Sequence, residues 1–274
     1  MPESAVRFKH ITLSFNGEAP VLDDISFEVE AGETCVILGA AGSGKTVLMK
    51  IAAGLVSPDS GRLFLLGREV TGLSEQAWFD VRADIGILFQ EGGLFDSMTI
   101  EENVSYPLMN QRRERKFTGD ARAKAEESLR FVELAHTLDK FPSQLSGGMR
   151  RRVGIARATV TTPPLLLYDS PTAGLDPITA NTIISLIVKA RALHETTALI
   201  ATHRYQDGHL LANFRYNSGS GPSGGALVRA TLDEDTRTKF MVMREGKIAF
   251  EGSQRELEAS ADPYLSKFVL QGLG

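Results

Sequence analysis

Cysteine is almost missing from this chain. The single Cys35 cannot build a disulfide framework, and its setting in CVILG reads as a small core residue on a buried strand rather than a reactive thiol. Long hydrophobic runs are missing as well. No apolar stretch approaches the roughly 20 residues that span a bilayer, and MPESAVRFKH lacks a signal peptide's apolar region. The expectation is a cytosolic protein that meets a membrane only through a partner. A surplus of one charge is also absent: 30 Lys and Arg stand against 34 Asp and Glu, net −4, which gives no reason to expect a nucleic-acid partner. The basic run Arg150, Arg151 and Arg152 reads as a solvated helix face. No internal repeat is visible.

What is present suits one α/β domain with an inserted lobe: 274 residues, 42% of them hydrophobic. Residues 6 to 29 read as strands, and ISFEVE alternates Ile25, Phe27 and Val29 inward, as in a half-solvated antiparallel layer. GETCVILG is continuously apolar, the pattern of a parallel strand buried on both faces. A glycine-rich turn and a helix near 44–55 follow, then a hairpin in GRLFLLGREV and a buried strand IGILFQ ending at Gln90. From about 91 to 160 the pattern becomes helical. ARAKAEESLRFVEL puts Ala125, Leu129 and Val132 on one face, and another helix starts near Ser146. LLLYD and TALIATH return to strand, separated by the helix of TANTIISLIVKARAL. Such alternation predicts a doubly wound sheet carrying a helical lobe. NSGSGPSGG, residues 217 to 225, is a flexible loop by composition, KFMVMREGKIAFEG a hairpin turning at Glu245–Gly246, and ADPYLSKFVLQGLG an amphipathic tail whose Tyr264, Phe268 and Leu270 seek a surface.

GAAGSGKT, residues 39 to 46, fits G-x-x-x-x-G-K-[ST] between a buried strand and a helix. The backbone of Gly39, Ala40, Ala41, Gly42, Ser43 and Gly44 can wrap closely around phosphate oxygens with its amides pointing inward. The helix start adds a positive dipole end, Lys45 a cation for the β- and γ-phosphates, and Thr46 a hydroxyl for Mg²⁺. LLLYD ends in Asp169, placed as a strand would deliver a carboxylate to a phosphate-bound magnesium ion. In LSGGM, Ser146 can cap a helix whose N-terminus, with Gly147 and Gly148 leaving backbone exposed, forms a second phosphate receptor.

On these motifs the chain resembles the ATP-binding-cassette ATPases over nearly its full length. That resemblance implies a P-loop NTPase fold: a RecA-like doubly wound α/β core with an antiparallel β layer and an inserted helical subdomain. On this reading one domain spans 1–274, with the core and β layer in 1–90 and 158–252, the helical subdomain and signature in about 91–157, and a tail in 253–274. It implies ATP and Mg²⁺ as cofactors, the ion held by Thr46, Gln90 and Asp169. LSGGM matches the family signature, which serves the nucleotide of the opposite subunit, so ATP is sandwiched between two cassettes. Gln90 matches the water- and metal-sensing glutamine, His203 in ATHR the switch histidine at the γ-phosphate, Asp176 in AGLDP the loop that communicates across the dimer, and Phe15 the aromatic that stacks on adenine.

FQEGGLFDSMTIEENVSYPL (89–108), the signature's Met149 and the tail DPYLSKFVLQG are similar to ATPases of Mce-associated phospholipid transporters. Those work as homodimers beneath two permease subunits and drive lipids between the membranes of the bacterial envelope. The resemblance implies a second cassette, integral membrane permease subunits and an Mce-type substrate-binding protein as partners, with the chain peripheral on the cytoplasmic face of the inner membrane. A permease coupling helix would dock on the helical-lobe surface following Gln90.

One position departs from the pattern. Where the family has DEPTAGLDP, with a glutamate to activate water, this chain has Ser170. A serine hydroxyl is no general base near neutral pH without an adjacent base of its own, and a positioned base contributes about 10²–10⁴-fold. An engineered ATP-trapping change, Glu91 acting as a surrogate base, and natural divergence compete as explanations. Arg204, where the family commonly has aspartate, and an unusual segment from Tyr205 to Thr238 favour divergence across the whole switch region. The outcome is then a slow homodimeric ATPase or a heterodimer that lends its signature to a competent partner. Two readings stand beside these: the ATPase of a different import or export system of the same family, and a non-transport ATP-gated clamp or regulator.

Overall fold

The computed structural model describes residues 4–90, 92–110, 117–218, 225–231 and 236–272. Two large sheets and one two-stranded sheet form among them. The large antiparallel one runs β2-β1-β4-β5, from β1 (Ser4–Leu13), β2 (Leu22–Glu30), β4 (Ser60–Leu65) and β5 (Arg68–Glu69). In β2 the side chains of Ile25, Phe27 and Val29 are buried while Ser26, Glu28 and Glu30 alternate with them, and Phe27 stacks on Phe8 with ring centroids 4.7 Å apart. The larger sheet runs β12-β11-β3-β8-β7-β6: β12 (Lys247–Gly252), β11 (Thr238–Arg244), β3 (Thr34–Gly39), β8 (Thr197–Thr202), β7 (Leu165–Asp169) and β6 (Ile85–Leu88). Its neighbours are parallel from β11 to β6, and only β12 is antiparallel.

Continuous burial in β3, β7 and β8 follows from cover on both faces. Side chains alternate across the sheet. Cys35, Ile37, Leu165, Leu167 and Leu199 join the antiparallel layer, α1 (Lys45–Ala52) and α2 (Glu75–Arg82) in one core. Val36, Leu38, Leu166, Tyr168 and Ile200 join a second core. That core also holds α3 (Ile100–Met109), α4 (Ala121–Phe131), α5 (Gly147–Thr159), α6 (Pro177–His194), α7 (Tyr205–Asn213), α8 (Gln254–Glu258) and α9 (Pro263–Gly272). Burial pushes the Cys35 thiol up to about 12, as an inert core residue requires.

The helical lobe is joined tightly to β6. A Cβ on Gly86 would lie 2.0 Å from the Ala158 carbonyl oxygen, so strand and helix α5 touch backbone to backbone. Between β6 and α3, Asn103 is fully buried and ties the loop: its Oδ1 accepts from Phe95 N at 2.8 Å, and its Nδ2 donates to Phe95 O at 3.0 Å and Thr99 O at 2.9 Å. Thr99 and Glu102 form a capping box at the start of α3. No helix among the described residues is long and apolar enough to cross a membrane.

Two expectations change. The basic run is no solvated face: Arg151 is buried and Arg150 and Arg152 are half-buried, because α5 runs through the interior between the lobe and the large sheet. The tail finds a surface through Tyr264 and Phe268, joined by Leu265 and Val269, while Leu270 stays exposed. Residues 205 to 238 hold α7 and a hairpin of β9 (Phe214–Asn217) and β10 (Ala226–Arg229). Most of the expected loop 217–225 lies outside the described residues, as does Glu91.

Candidate functional site

β3 delivers the chain to the phosphate loop at Gly39. Only glycine fits there, since a Cβ would stand 2.5 Å from Ser43 Oγ and 2.8 Å from Met243 O. Gly44 caps α1 at φ 100°, a conformation that favours glycine. No side chain caps α1 and no acidic residue occupies its first turn, so its amides and positive dipole end are open to an anion. The Lys45 ammonium lies inside the cradle and donates to Gly39 O and Ala40 O, both at 2.8 Å, and to Ser43 Oγ at 3.2 Å. Burial pulls its pKa down, partly opposed by the Asp169 carboxylate.

β7 lies two strands from β3 and ends at Asp169. Asp169 is 7% exposed, and its Oδ1 accepts from Thr46 Oγ1 at 3.3 Å and from Ser170 Oγ at 3.2 Å. A hydroxyl and a carboxylate converging beside a phosphate loop are hard oxygen donors of the kind Mg²⁺ takes, the remaining ligands coming from phosphate and water. Ser170 adopts a left-handed φ of 51° in a tight turn, with its N–H on Ala201 O at 2.8 Å and its carbonyl accepting from Ala173 N at 3.1 Å. Its hydroxyl donates to the Asp169 carboxylate, and a neutral hydroxyl is too weak a base to take a proton from water near neutral pH.

A cavity of about 670 Å³ brings together Ala40 to Thr46, Gln90, Ser170 and His203. Gln90, two residues past β6, and His203, directly after β8, reach it because both strands are parallel to β3 and end at the same edge of the sheet. Phe15 is not brought to this cavity. It stands 45% exposed on the loop after β1, and Val21 at the other end of that loop lines the cavity instead. The signature residues also lie outside the lining. Ser146 caps α5, accepting from Met149 N at 3.3 Å, with Ser146 and Gly147 exposed. Gly148 packs on Thr179, where a Cβ would come within 2.6 Å of Thr179 Cγ2. Asp176 caps α6 through Thr179 N at 3.0 Å, and its hydrogen bonds from Thr179 hold its carboxyl below the usual range.

Several residues at the site carried no motif. Arg151 donates through Nε to Gln90 O at 3.1 Å and through Nη2 to Ala173 O. Asp207 on α7 accepts from Thr172 Oγ1 at 2.5 Å and Thr202 Oγ1 at 2.7 Å, and burial pushes its carboxyl up against the pull of those hydroxyls. Tyr264, Lys267 and Phe268 of α9 complete the cavity wall. Tyr264 Oη donates to Met243 O at 2.9 Å and accepts from Ala40 N at 3.4 Å. Only the aromatic spacing of the tail hinted at a packing role.

Residues 22–173 match the family model described as ABC transporter. The chain is 36% identical over 199 residues to the probable ribonucleotide transport ATP-binding protein mkl of Mycobacterium leprae, covering 73% of this chain and 56% of that protein. It is 34% identical over 273 residues to the methionine import ATP-binding protein MetN of Corynebacterium glutamicum, covering 98% and 68%. The MetN protein of Cutibacterium acnes is 38% identical over 202 residues, covering 73% and 54%. The chain thus spans about half the length of most of these curated relatives. Among solved structures, the dimeric ATP-binding cassette MJ0796, in a post-hydrolysis state bound to ADP and Pi, superposes with a TM-score of 0.75 at 26% identity, covering 90% of this chain and 98% of that one. The cassette cbiO1 from Clostridium perfringens, part of the transporter complex cbiONQ, superposes with 0.73 at 26% identity, covering 99% and 94%.

Proposed function

The chain belongs to the ABC transporter family, in which it is an ATP-binding cassette, and we propose that it is the energy-coupling ATPase of a transporter moving phospholipids or other lipids across the bacterial envelope. One observation carries the ATPase reading: the Lys45 ammonium, the Thr46 hydroxyl, Gln90, Ser170 and His203 share one cavity beside an uncapped helix start, with the Asp169 carboxylate 3.3 Å behind Thr46 Oγ1. The loop amides and the α1 dipole hold the β-phosphate, and Lys45 turns from the loop carbonyls to the β- and γ-phosphates. Thr46 and Asp169, with Gln90 at the rim, would hold Mg²⁺, which when bound neutralises charge on the phosphate oxygens. Gln90 and His203 orient water and the γ-phosphate. Ser170 supplies no base, so water is deprotonated slowly and the ATP-bound state is long-lived.

Ser146 and Gly147 stand exposed and, with Gly148, outside this chain's own cavity, which supports a second cassette completing the site, in a homodimer or a heterodimer. The related MJ0796 cassette is a dimer by its own description. Past Gln90 a groove of about 740 Å³, lined in part by Phe79, Phe89, Phe95, Tyr106 and Met109, supports docking of a permease helix. A protein held there is peripheral on the cytoplasmic face of the inner membrane. The division into a core of 1–90 and 158–252, a lobe of about 91–157 and a tail of 253–274 belongs to the same reading. The lipid cargo and an Mce-type binding partner rest on the similarity of 89–108, Met149 and the tail. The relatives named above carry ribonucleotide and methionine transport in their own names.

Detergent pulldown of the tagged chain from its native membrane, with mass spectrometry of proteins and lipids, tests this. Co-purification of a multispanning permease, an Mce-type protein and phospholipid is expected. A permease with an amino-acid or nucleotide receptor would overturn the lipid assignment. Recovery of the chain with no permease would favour the second reading, an ATP-gated clamp, which the Ser170–Asp169 hydrogen bond also supports.

A further inference from the structure

The loop from Ser170 to Ala173 carries the residue that faces the water position, and it is held from two sides. On one side Arg151, from the helix that Ser146 caps, donates to the carbonyls of Ala173 and Gln90. On the other, Asp207 accepts on a single oxygen from Thr172 Oγ1 at 2.5 Å and Thr202 Oγ1 at 2.7 Å. Thr202 ends β8 and directly precedes His203, and its hydroxyl also accepts from Arg204 N at 3.1 Å. Asp207 is 1% exposed, Thr172 0% and Thr202 1%. A carboxylate at that depth is costly unless its partners are well placed. Arg204 Nε, 3.7 Å from Oδ1, is its ion-pair partner, and the two short hydroxyl bonds are its geometric anchors.

We propose that Asp207 is a positioning residue for phosphoryl transfer: through Thr172 and Thr202 it locks the Ser170 loop to the His203 loop, while Arg151 locks the far end of the Ser170 loop to Gln90 and the signature helix. The inference rests on the reading of the cavity as the nucleotide site. Both loops reach the cavity at its γ-phosphate end on that reading, and neither forms the β-phosphate cradle. Misplacement of a reacting group by about 1 Å costs on the order of 10²-fold, so the lock acts on turnover and leaves nucleotide binding largely intact. The same bonds tie one chain's signature helix, which faces a partner's nucleotide, to its own Gln90 and Ser170.

The test removes one hydroxyl without changing shape. Thr172→Val and Thr202→Val are each compared with Thr172→Ser and Thr202→Ser, in the wild type and in a Ser170→Glu background. The readouts are kcat, MgADP affinity and the ratio of MgATP to MgADP affinity, the last needing no turnover. Each Val variant is expected to lower kcat by roughly tenfold or more, or to reduce the ATP-over-ADP preference where turnover is undetectable. MgADP affinity should stay within about twofold, and the Ser variants should recover the loss. Val variants that change only the melting temperature, or that lose MgADP affinity in step with kcat, would overturn the positioning role. A wild type that binds no MgADP overturns the reading of the cavity itself, and this inference with it.

Discussion

Ser170 is where residue chemistry decides most. Its hydroxyl donates to Asp169, and its left-handed φ shows a turn held by Ala201 and Ala173 rather than by the side chain. The backbone therefore presents position 170 to the cavity whatever side chain it carries. Ser170→Glu is expected to raise MgATP turnover at least about tenfold, a conservative floor beneath the 10²–10⁴-fold that a well-positioned base contributes. Steady-state phosphate release measures it. A wild type turning over at several per second, unchanged by the substitution, would remove Ser170 as a catalytic deficit. The P-loop, Asp169, Gln90 and His203 were legible at this scale because each stands at a strand end in a fixed motif. Arg151, Thr172 and Asp207 were not, since hydrogen bonds across three elements leave no local spacing to read.

At the scale of elements, β6 and α5 form the joint between the sheet that supplies Gln90 and the helix that carries the signature. Gly86 makes that joint possible, with Ala158 O only 2.0 Å from a would-be Cβ. Gly86→Ala must push strand and helix apart and is expected to destabilise the protein by about 3 kcal/mol. Thermal denaturation should show a melting point lower by roughly 5 °C. A shift under about 2 °C would mean that the joint relaxes at little cost. The helix start of α5 was readable, but the burial of Arg151 within its basic run was not. Periodicity identifies an apolar stripe and cannot tell an exposed polar stripe from one facing backbone carbonyls.

Across the whole molecule, the two ends of the sequence meet at the phosphate loop. Val21 from the loop after β1 and Tyr264, Lys267 and Phe268 from α9 line the cavity that Gly39 to Thr46 open. Arg244 stacks on Tyr264 at 5.1 Å, and Phe268 meets the same ring edge-on with centroids 5.3 Å apart, so α9 is anchored with Lys267 on the cavity rim. Lys267→Ala is expected to weaken MgATP binding roughly threefold to tenfold at low salt, with a smaller effect as salt screens the exposed charge. Isothermal titration at two ionic strengths reads it. An unchanged affinity at low salt would leave α9 a packing element alone.

The sequence by itself determined the alternation of strands and helices, the phosphate loop, the helix cap at Ser146, and the loss of a glutamate at position 170. Each of these is set by a short run of residues whose spacing obeys the period of one element. Tertiary structure alone decided that Val21 rather than Phe15 lines the cavity, that Arg151 is buried on carbonyls, that Asp207 joins two loops, and that the tail closes on the P-loop. Those contacts join residues far apart in the chain, and the parallel sheet that brings their strand ends to one edge is what creates them.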